Sequence, residues 1–255
     1  MRWLVRFIRG LWKHSYVPLI EILIHRGALL HNFDVFRNAY PQLEIAPVLK
    51  SNAYGHGLAQ VATILTSRQV PFLCVDSLYE ARVLRSEGMR TPLLVIGYTP
   101  SENIRQCPLR DIAFSILSFQ ELQVLAEQLS EPRTFHLKVD TGMHRYGILP
   151  EELAEAVKLI QKSPNIRVTG AFSHLADADG PDPRMTEEQV RYWNQAADAL
   201  RRSLPAMRYF HLGATAGSVL GEGVDANVIR LGLGLYGMDR VPGRELDLRP
   251  VLEMR

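Results

Sequence analysis

Cysteine is scarce in this sequence, and so are long apolar runs and any excess of one charge. The chain has 255 residues and two cysteines, Cys74 and Cys107. Two cysteines cannot build a disulfide framework, and neither has the neighbours of a metal-binding motif. Cys74 lies in an apolar segment and is predicted to be an inert core residue. A reducing cytoplasm is therefore the expected compartment.

Positive and negative charges almost balance, with 29 lysines and arginines, 27 aspartates and glutamates, and a net charge of +2. A nucleic-acid-binding domain concentrates positive charge on one face, so no nucleic-acid partner is expected. No apolar stretch is long enough for a membrane-spanning helix, which needs about 20 residues. With 47% hydrophobic residues, the chain can bury a sizeable core as one large α/β domain or two small ones.

The first eighteen residues differ from the rest of the chain. Basic residues recur there at helical spacing, and apolar residues occupy the other face: Arg2, Arg6, Arg9 and Lys13 against Leu4, Val5, Ile8, Leu11 and Trp12. Such a helix can lie on an anionic membrane surface. Arginines inside the apolar stretch and the lack of a cleavage site argue against a signal peptide. Residues 1–18 are therefore predicted to be a basic amphipathic extension, packed on the domain or in weak contact with a membrane surface.

Apolar, β-branched runs alternate with helically periodic segments from residue 20 to about residue 232. Nine runs predict strands: Ile20–Ile24, Ile45–Leu49, Phe72–Val75, Leu93–Ile96, Ile112–Ser115, Phe135–Val139, Val168–Phe172, Tyr209–Leu212 and Val228–Leu231. Strand and helix alternation predicts a parallel sheet with helical crossovers. The last eight strands would close a (β/α)8 TIM barrel, which leaves Ile20–Ile24 as an extra N-terminal strand. An open, doubly wound sheet is the alternative.

Polar residues at the predicted strand ends favour the barrel. In such barrels the chemistry lies at the C-terminal ends of the strands, and a phosphate commonly binds the loops after strands seven and eight. The predicted strand ends carry a dense ring of functional side chains: Lys50, Asp76, Tyr98, Lys138, Asp140, His174, Thr215, Arg230 and Gly232.

The segment from Val48 to Gly57 reads VLKSNAYGHG and carries the most specific signal. A lysine that closes an apolar strand is partly desolvated, which favours the neutral amine needed for imine formation. The glycines allow a sharp turn, and the phenol of Tyr54 could reach a phosphate oxygen. For a lone lysine at a strand end, a solvated terminus is the ordinary alternative.

Five ordered segments together resemble the alanine racemase family. They are residues 48–57, 138–147 (KVDTGMHRYG), 172–179 (FSHLADAD), 211–217 (HLGATAG) and 229–237 (IRLGLGLYG). The resemblance runs from about Leu19 to Arg255. It implies a fold-type III pyridoxal-phosphate enzyme, with a (β/α)8 barrel followed by a β-rich domain. It also implies a homodimer that interconverts L-alanine and D-alanine and so supplies D-alanine for peptidoglycan.

The resemblance also implies roles for individual residues. Lys50 resembles the lysine that forms a Schiff base with pyridoxal 5′-phosphate and serves as the base for the D-isomer. Tyr54, Thr215 and the backbone amides of Gly232 and Leu233 resemble the phosphate cup. The pair Ala214–Thr215 departs from the Asn-Ser of many members, but the threonine keeps the hydroxyl.

Four further roles follow from the same resemblance. Arg145 resembles the residue that orients the substrate carboxylate, for which a guanidinium fork is suited. Lys138 resembles a lysine that some members carry as a carbamate. Arg230 resembles the arginine that faces the pyridine nitrogen, and His174 resembles the residue bonded to it. A permanent cation there disfavours protonation of the ring nitrogen and weakens the cofactor as an electron sink.

The domain organisation is predicted to be residues 1–18 as the extension, 19–240 as the cofactor-binding barrel and 241–255 as the start of a C-terminal β-rich domain. Racemisation needs acid–base groups on both faces of the substrate carbon. In the family the second group is a tyrosine of the β-rich domain, supplied across the dimer interface. The chain is therefore expected to be a fragment that binds cofactor but turns over poorly alone. The alternatives are a non-catalytic single-barrel protein that carries pyridoxal phosphate, and a racemase for another amino acid.

Overall fold

The computed structural model describes residues 19–238, 243 and 245–255. The predicted amphipathic extension, residues 1–18, lies outside the described residues. Ten strands are described: β1 (Ile22–Ile24), β2 (Glu44–Pro47), β3 (Leu73–Val75), β4 (Leu93–Val95), β5 (Ile112–Ile116), β6 (Arg133–Lys138), β7 (Ile166–Phe172), β8 (Tyr209–His211), β9 (Val228–Leu231) and β10 (Leu252–Met254).

Helices follow the strands in the alternating order expected of a barrel. They are α1 (Arg26–Ala39), α2 (Lys50–Tyr54), α3 (Leu58–Leu65), α4 (Leu78–Ser86), α5 (Ser101–Arg105), α6 (Phe119–Gln128), α7 (Leu153–Lys162) and α8 (Arg184–Ser203). Three 3₁₀ turns, at Pro150–Glu152, Ala216–Gly223 and Leu233–Tyr236, complete the described elements. Within the described part of the chain, no helix is long and apolar enough to cross a membrane.

Strands β2 to β9 form the barrel that the sequence predicts. Strands β3 to β8 are hydrogen-bonded side by side in chain order, all parallel, and β2 pairs in parallel with β9. A bridge between Val48 and Cys74 joins β2 to β3. The N–H of Asn227, just before β9, donates to the carbonyl of Phe210 in β8 and so joins β8 to β9. Because the first and last strands pair with each other, the open doubly wound alternative is wrong.

Buried apolar residues fill the space between the strands and the helical ring. The segment with Leu29, Phe33 and Phe36 at helical spacing forms α1, and all three side chains are buried. In α8, Trp193 is fully buried, and its indole N–H donates to the Asp225 carbonyl. Burying such side chains supplies the main stabilisation, about 25 cal/mol for each Å² of apolar surface.

The extra N-terminal strand lies outside the barrel. Strand β1 pairs antiparallel with β10, so that Ile22 faces Met254 and Ile24 faces Leu252. The two ends of the described chain therefore form one two-stranded ribbon. The proposed boundary near residue 240 remains a prediction, because residues 239–242 lie outside the described part.

Candidate active site at the C-terminal end of the barrel

Two adjoining cavities open at the C-terminal ends of the strands. They have volumes of about 280 and 310 Å³, and both are lined by Lys50, Tyr54 and His174. The first also contacts Asp76, Lys138, Arg145 and Arg230, and the second contacts Thr215, Gly232 and Leu233. Since they share these three residues and Ala214, we treat them as one cleft. Every residue to which the family resemblance gives a role therefore lines this cleft.

Two members of the predicted ring lie elsewhere. Tyr98 is 63% exposed and lines neither cavity. The carboxylate of Asp140 is buried and directed at its own loop, where Oδ1 accepts the backbone N–H groups of Gly142, Met143 and His144 at 3.0–3.1 Å. Asp140 therefore shapes the loop that carries Arg145 and does not face the cleft.

Lys50 begins a left-handed helical turn. Ser51, Asn52 and Ala53 have φ of 54–55° and ψ of 44–52°, and Tyr54 has φ of 52°. In this conformation Cβ crowds the following carbonyl, at a cost of about 1–2 kcal/mol per non-glycine residue. Consecutive residues rarely adopt it, and such strain is typical of functional sites. The glycines Gly55 and Gly57, with φ of 88° and 94°, lead the chain back out of the turn.

The turn presents Tyr54 to the loop after β9. The Tyr54 hydroxyl lies 3.0 Å from the position that a Cβ would take at Gly232, so only glycine allows this close approach. Burial raises the pKa of Tyr54, with smaller contributions from Cys74 and Asp76, and keeps the phenol protonated as a donor. The ring of Tyr54 also packs on Tyr236, whose hydroxyl donates to the Val48 carbonyl at 2.9 Å.

Thr215 and the 3₁₀ turn after β9 form an anion-binding corner beside Tyr54. Thr215 is buried, and its hydroxyl oxygen accepts the Gly234 N–H at 3.0 Å, which leaves the hydroxyl hydrogen free to donate. Gly232 precedes the turn at Leu233–Tyr236, and the first N–H groups of such a turn have no partner within it. A phenol, a hydroxyl and backbone amides at one corner are donors suited to a phosphate.

Arg230 is almost fully buried below the cleft. Its Nη1 donates to the carbonyl and to Nδ1 of His211 at 2.6 and 2.8 Å, and its Nη2 donates to the carbonyls of Ser173 and Leu212 at 2.7 and 3.0 Å. Nη2 also lies 3.4 Å from Nδ1 of His174. Burial lowers the pKa of Arg230 to about 10, so the guanidinium is still a cation at neutral pH.

A column of neutral histidines lies around this cation. Nε2 of His211 is 2.8 Å from Nδ1 of His136, and both rings are buried. Burial, and then Arg230, lowers the pKa of His136 to about 3 and that of His211 well below its ordinary value. His174 is lowered to about 3 by burial and by four surrounding cations. Sequence reasoning missed His136 and assigned no role to His211, although both belong to inward-facing strand positions.

The two remaining cations differ in burial. Lys138 is buried, its amine donates to the Tyr146 carbonyl, and burial lowers its pKa to about 8. Arg145 lies at the exposed rim of the cleft. With Lys50 and Arg230 they give the cleft several positive charges, which suit anionic ligands. Among the described residues no cluster of three or more histidine, cysteine, aspartate or glutamate side chains could hold a metal ion.

Proteins of a known family match this chain in sequence and in structure. The sequence-family model of the alanine racemase N-terminal domain matches residues 24–240. "Alanine racemase 2" of Oceanobacillus iheyensis is 32% identical over 237 residues, and alanine racemase of Synechocystis sp. is 33% identical over 239. Each alignment covers 91% of this chain but only 58% and 64% of the relative.

Solved structures agree with the sequence relatives. Alanine racemase of Clostridium difficile 630 superposes with a TM-score of 0.85 at 29% identity, covering 94% of this chain and 68% of that one. The enzyme of Corynebacterium glutamicum gives 0.84 at 28% identity, covering 93% and 69%. The chain thus spans about three fifths of the curated relatives' length, and it belongs to the alanine racemase family through the N-terminal barrel domain of that family.

Proposed function

We propose that this chain binds pyridoxal 5′-phosphate through Lys50 and forms the cofactor-binding part of an alanine racemase. The observation that carries the proposal is one cleft that joins an amine at a strained strand end, a phosphate-type corner and a buried arginine. Lys50, the corner at Tyr54 and Thr215, and Arg230 suit the aldehyde, the phosphate and the ring nitrogen of this cofactor in turn. We also propose a homodimer, as the family resemblance implies.

The proposed mechanism assigns a separate task to each group of the cleft. Bound pyridoxal phosphate acidifies the α-hydrogen of an attached amino acid. Lys50 holds or releases a proton at Nζ, which lies 5.9 Å from the centre of the Tyr54 ring. Tyr54 and Thr215 donate to the phosphate, and Arg145 at the rim orients the substrate carboxylate. Arg230 can only donate hydrogen bonds at its end of the cleft, so it would offer no acceptor to a protonated ring nitrogen.

The second acid–base group is proposed to come from outside the described residues. Racemisation needs a proton donor on the face opposite Lys50. The family resemblance assigns that group to a tyrosine of the β-rich domain. Of the tyrosines that line the cleft, Tyr54 is committed to the phosphate corner and Tyr146 is 52% exposed at the rim. We therefore expect this polypeptide alone to bind cofactor tightly and to racemise alanine slowly.

Covalent trapping tests the proposal independently of turnover. Purified protein is mixed with pyridoxal 5′-phosphate, reduced with borohydride and digested, and the labelled peptide is identified by mass spectrometry. We expect the label on Lys50 and its loss in Lys50→Ala. Lys158→Ala is the matched control, because this exposed lysine on α7 lies away from the cleft and its removal should leave labelling unchanged. Label distributed over surface lysines, or equal label in Lys50→Ala, would refute the proposal.

A chiral assay separates the racemase from the alternatives. We expect slow formation of D-alanine from L-alanine, and faster formation when a separately supplied β-rich domain of a relative restores the second group. Labelled Lys50 with no D-isomer from any amino acid, with or without that domain, would favour the non-catalytic carrier. Preferential formation of D-serine or another D-amino acid would favour a racemase for that substrate.

A further inference from the structure

The left-handed turn at Lys50–Tyr54 has to be held from outside. Four successive residues lie in a region that L-residues avoid, and three of them, Ser51, Ala53 and Tyr54, are types that gain nothing there. Asn52 contributes one local bond, from the Leu58 N–H to its Oδ1 at 2.9 Å. The backbone N–H of Asn52 itself is bonded outside the turn.

That outside partner is the carboxylate of Glu80. Its Oε1 accepts the Asn52 N–H at 2.9 Å, and its Oε2 accepts the Asp76 N–H at 2.8 Å. Asp76 follows β3, whereas Asn52 belongs to the turn after β2, so one side chain connects two adjacent strand ends. Glu80 is only 9% exposed, which strengthens both charge-assisted bonds. Glu80 is itself fixed in the first turn of α4, where its N–H donates to Ser77 Oγ at 3.3 Å.

A second copy of the same local motif shows what Glu80 adds. Ser118 and Glu121 begin α6 as Ser77 and Glu80 begin α4: the Glu121 N–H donates to Ser118 Oγ, and Glu121 Oε2 accepts the N–H of Leu117 at the end of β5. The other oxygen of Glu121 is buried with no hydrogen-bond partner. Consistent with that, burial raises the pKa of Glu121 to about 7. In both cases one carboxylate oxygen links the first turn of the helix to the end of the preceding strand. Of the two glutamates, only Glu80 also binds the left-handed turn, through its second oxygen.

We propose that Glu80 is a positioning residue of the cofactor site, which holds the left-handed turn so that Lys50 and Tyr54 face the cleft together. Glu80 lines a separate cavity behind the turn, with Ser51, Asn52 and Asp76, and touches neither the phosphate corner nor Arg230. It acts on the site through backbone N–H groups alone, those of Asn52 in the turn and of Asp76 at the neighbouring strand end. The inference rests on the proposed function, because its readout is the binding of pyridoxal phosphate.

Two variants of Glu80 and one of Glu121 test the proposal. Glu80→Gln retains one acceptor oxygen and cannot accept both N–H groups, and Glu80→Asp keeps the charge but is too short to reach both. We expect the dissociation constant for pyridoxal 5′-phosphate to rise about tenfold or more in each, the effect of losing one charged hydrogen bond. Glu121→Gln should bind the cofactor within about twofold of the unchanged protein, since its second oxygen holds no turn.

Two measurements without cofactor distinguish a loosened turn from a general loss of stability. Without cofactor both Glu80→Gln and Glu121→Gln should unfold cooperatively in urea. The midpoint should fall further in Glu80→Gln, because Glu80 accepts two N–H groups with its carboxylate and Glu121 accepts only one. Hydrogen exchange at the Asn52 amide should accelerate in the Glu80 variants and stay slow in Glu121→Gln. Wild-type affinity in both Glu80 variants, or an unchanged Asn52 exchange rate, would overturn the inference. Undiminished labelling of Lys50→Ala would instead refute the proposed function itself.

Discussion

At the scale of single residues, the chemistry of the cleft depends on neutral histidines around one buried cation. Arg230 could be singled out from the sequence because it closes a strand within a family motif. Its partner His211, and His136 bonded to His211 in turn, could not, since a histidine inside an apolar strand is ordinarily a satisfied core residue. Their pairing needs β6, β8 and β9 in their three-dimensional order, which single-sequence patterns do not contain.

The histidine column predicts an acid-sensitive fold. His136 and His211 resist protonation in the folded chain, with a pKa of about 3 for His136, whereas the same groups in the unfolded chain take up protons near 6.5. Between these values the unfolded chain binds more protons, so stability is complete above about pH 6.5 and is lost as the pH falls. With His174, whose pKa is also lowered to about 3, the three histidines should make the unfolding free energy fall by about 4 kcal/mol per pH unit of acidification. Glu121, whose pKa is raised to about 7, acts in the opposite direction and reduces the net slope to roughly 3 kcal/mol per pH unit.

Urea unfolding at about pH 7, 6 and 5 measures that slope. His136→Gln should reduce the slope by about 1.4 kcal/mol per pH unit, since it removes one titrating group. His144→Asn is the control, because this side chain is exposed and asparagine tolerates its positive φ of 54°. A slope that His136→Gln leaves unchanged would contradict the assignment.

At the scale of elements, the sequence predicts the strands well and the turn after β2 incompletely. The β-branched runs gave all eight barrel strands. The glycines at 55 and 57 indicated a sharp turn, but nothing in Ser-Asn-Ala-Tyr indicates four residues of left-handed helix. The handedness is set by contacts distant in sequence, including the bond from Asn52 to Glu80.

The left-handed turn predicts opposite effects of two substitutions at exposed Ser51. Ser51→Val should cost about 1–2 kcal/mol, because a β-branched side chain crowds the backbone at φ of 55°. Ser51→Gly should be neutral or stabilising by up to about 1 kcal/mol, since glycine adopts this region without strain. Urea unfolding of the cofactor-free proteins gives both values. Ser130→Val is the control, at an exposed position without positive φ, and should change stability by less than about 0.5 kcal/mol. If Ser130→Val lost as much stability as Ser51→Val, backbone strain would not be the cause.

At the scale of the whole molecule, the two ends of the described chain are held together beside the barrel. The sequence predicted an extra N-terminal strand and, at residues 241–255, the start of a β-rich domain. The pairing of β1 with β10 agrees with this. The sequence could not reveal which side chain attaches the C-terminal segment to the barrel. That side chain is Asn32 on α1, which is fully buried and precedes its partner Arg249 by 217 positions.

Asn32 makes three hydrogen bonds, two of them to that segment and one to the 3₁₀ turn after β9. Its Nδ2 donates to the carbonyls of Leu235 and Arg249 at 3.1 and 2.8 Å, and its Oδ1 accepts the Arg249 N–H at 2.8 Å. Asn32→Leu removes all three and leaves buried backbone groups without partners. We expect a loss of about 3 kcal/mol in unfolding free energy, against about 1 kcal/mol for Asn165→Leu, whose amide makes one bond to the Leu129 carbonyl.

Hydrogen exchange then locates the damage from Asn32→Leu. The amide of Arg255 pairs with the Glu21 carbonyl at 2.9 Å and should lose its protection, while amides inside β6 and β7 should keep theirs. Such a pattern means that the ribbon separates from an intact barrel, because the local opening costs less than global unfolding. Equal acceleration in the ribbon and the barrel would mean instead that the barrel requires the ribbon, and that the chain unfolds as one cooperative unit.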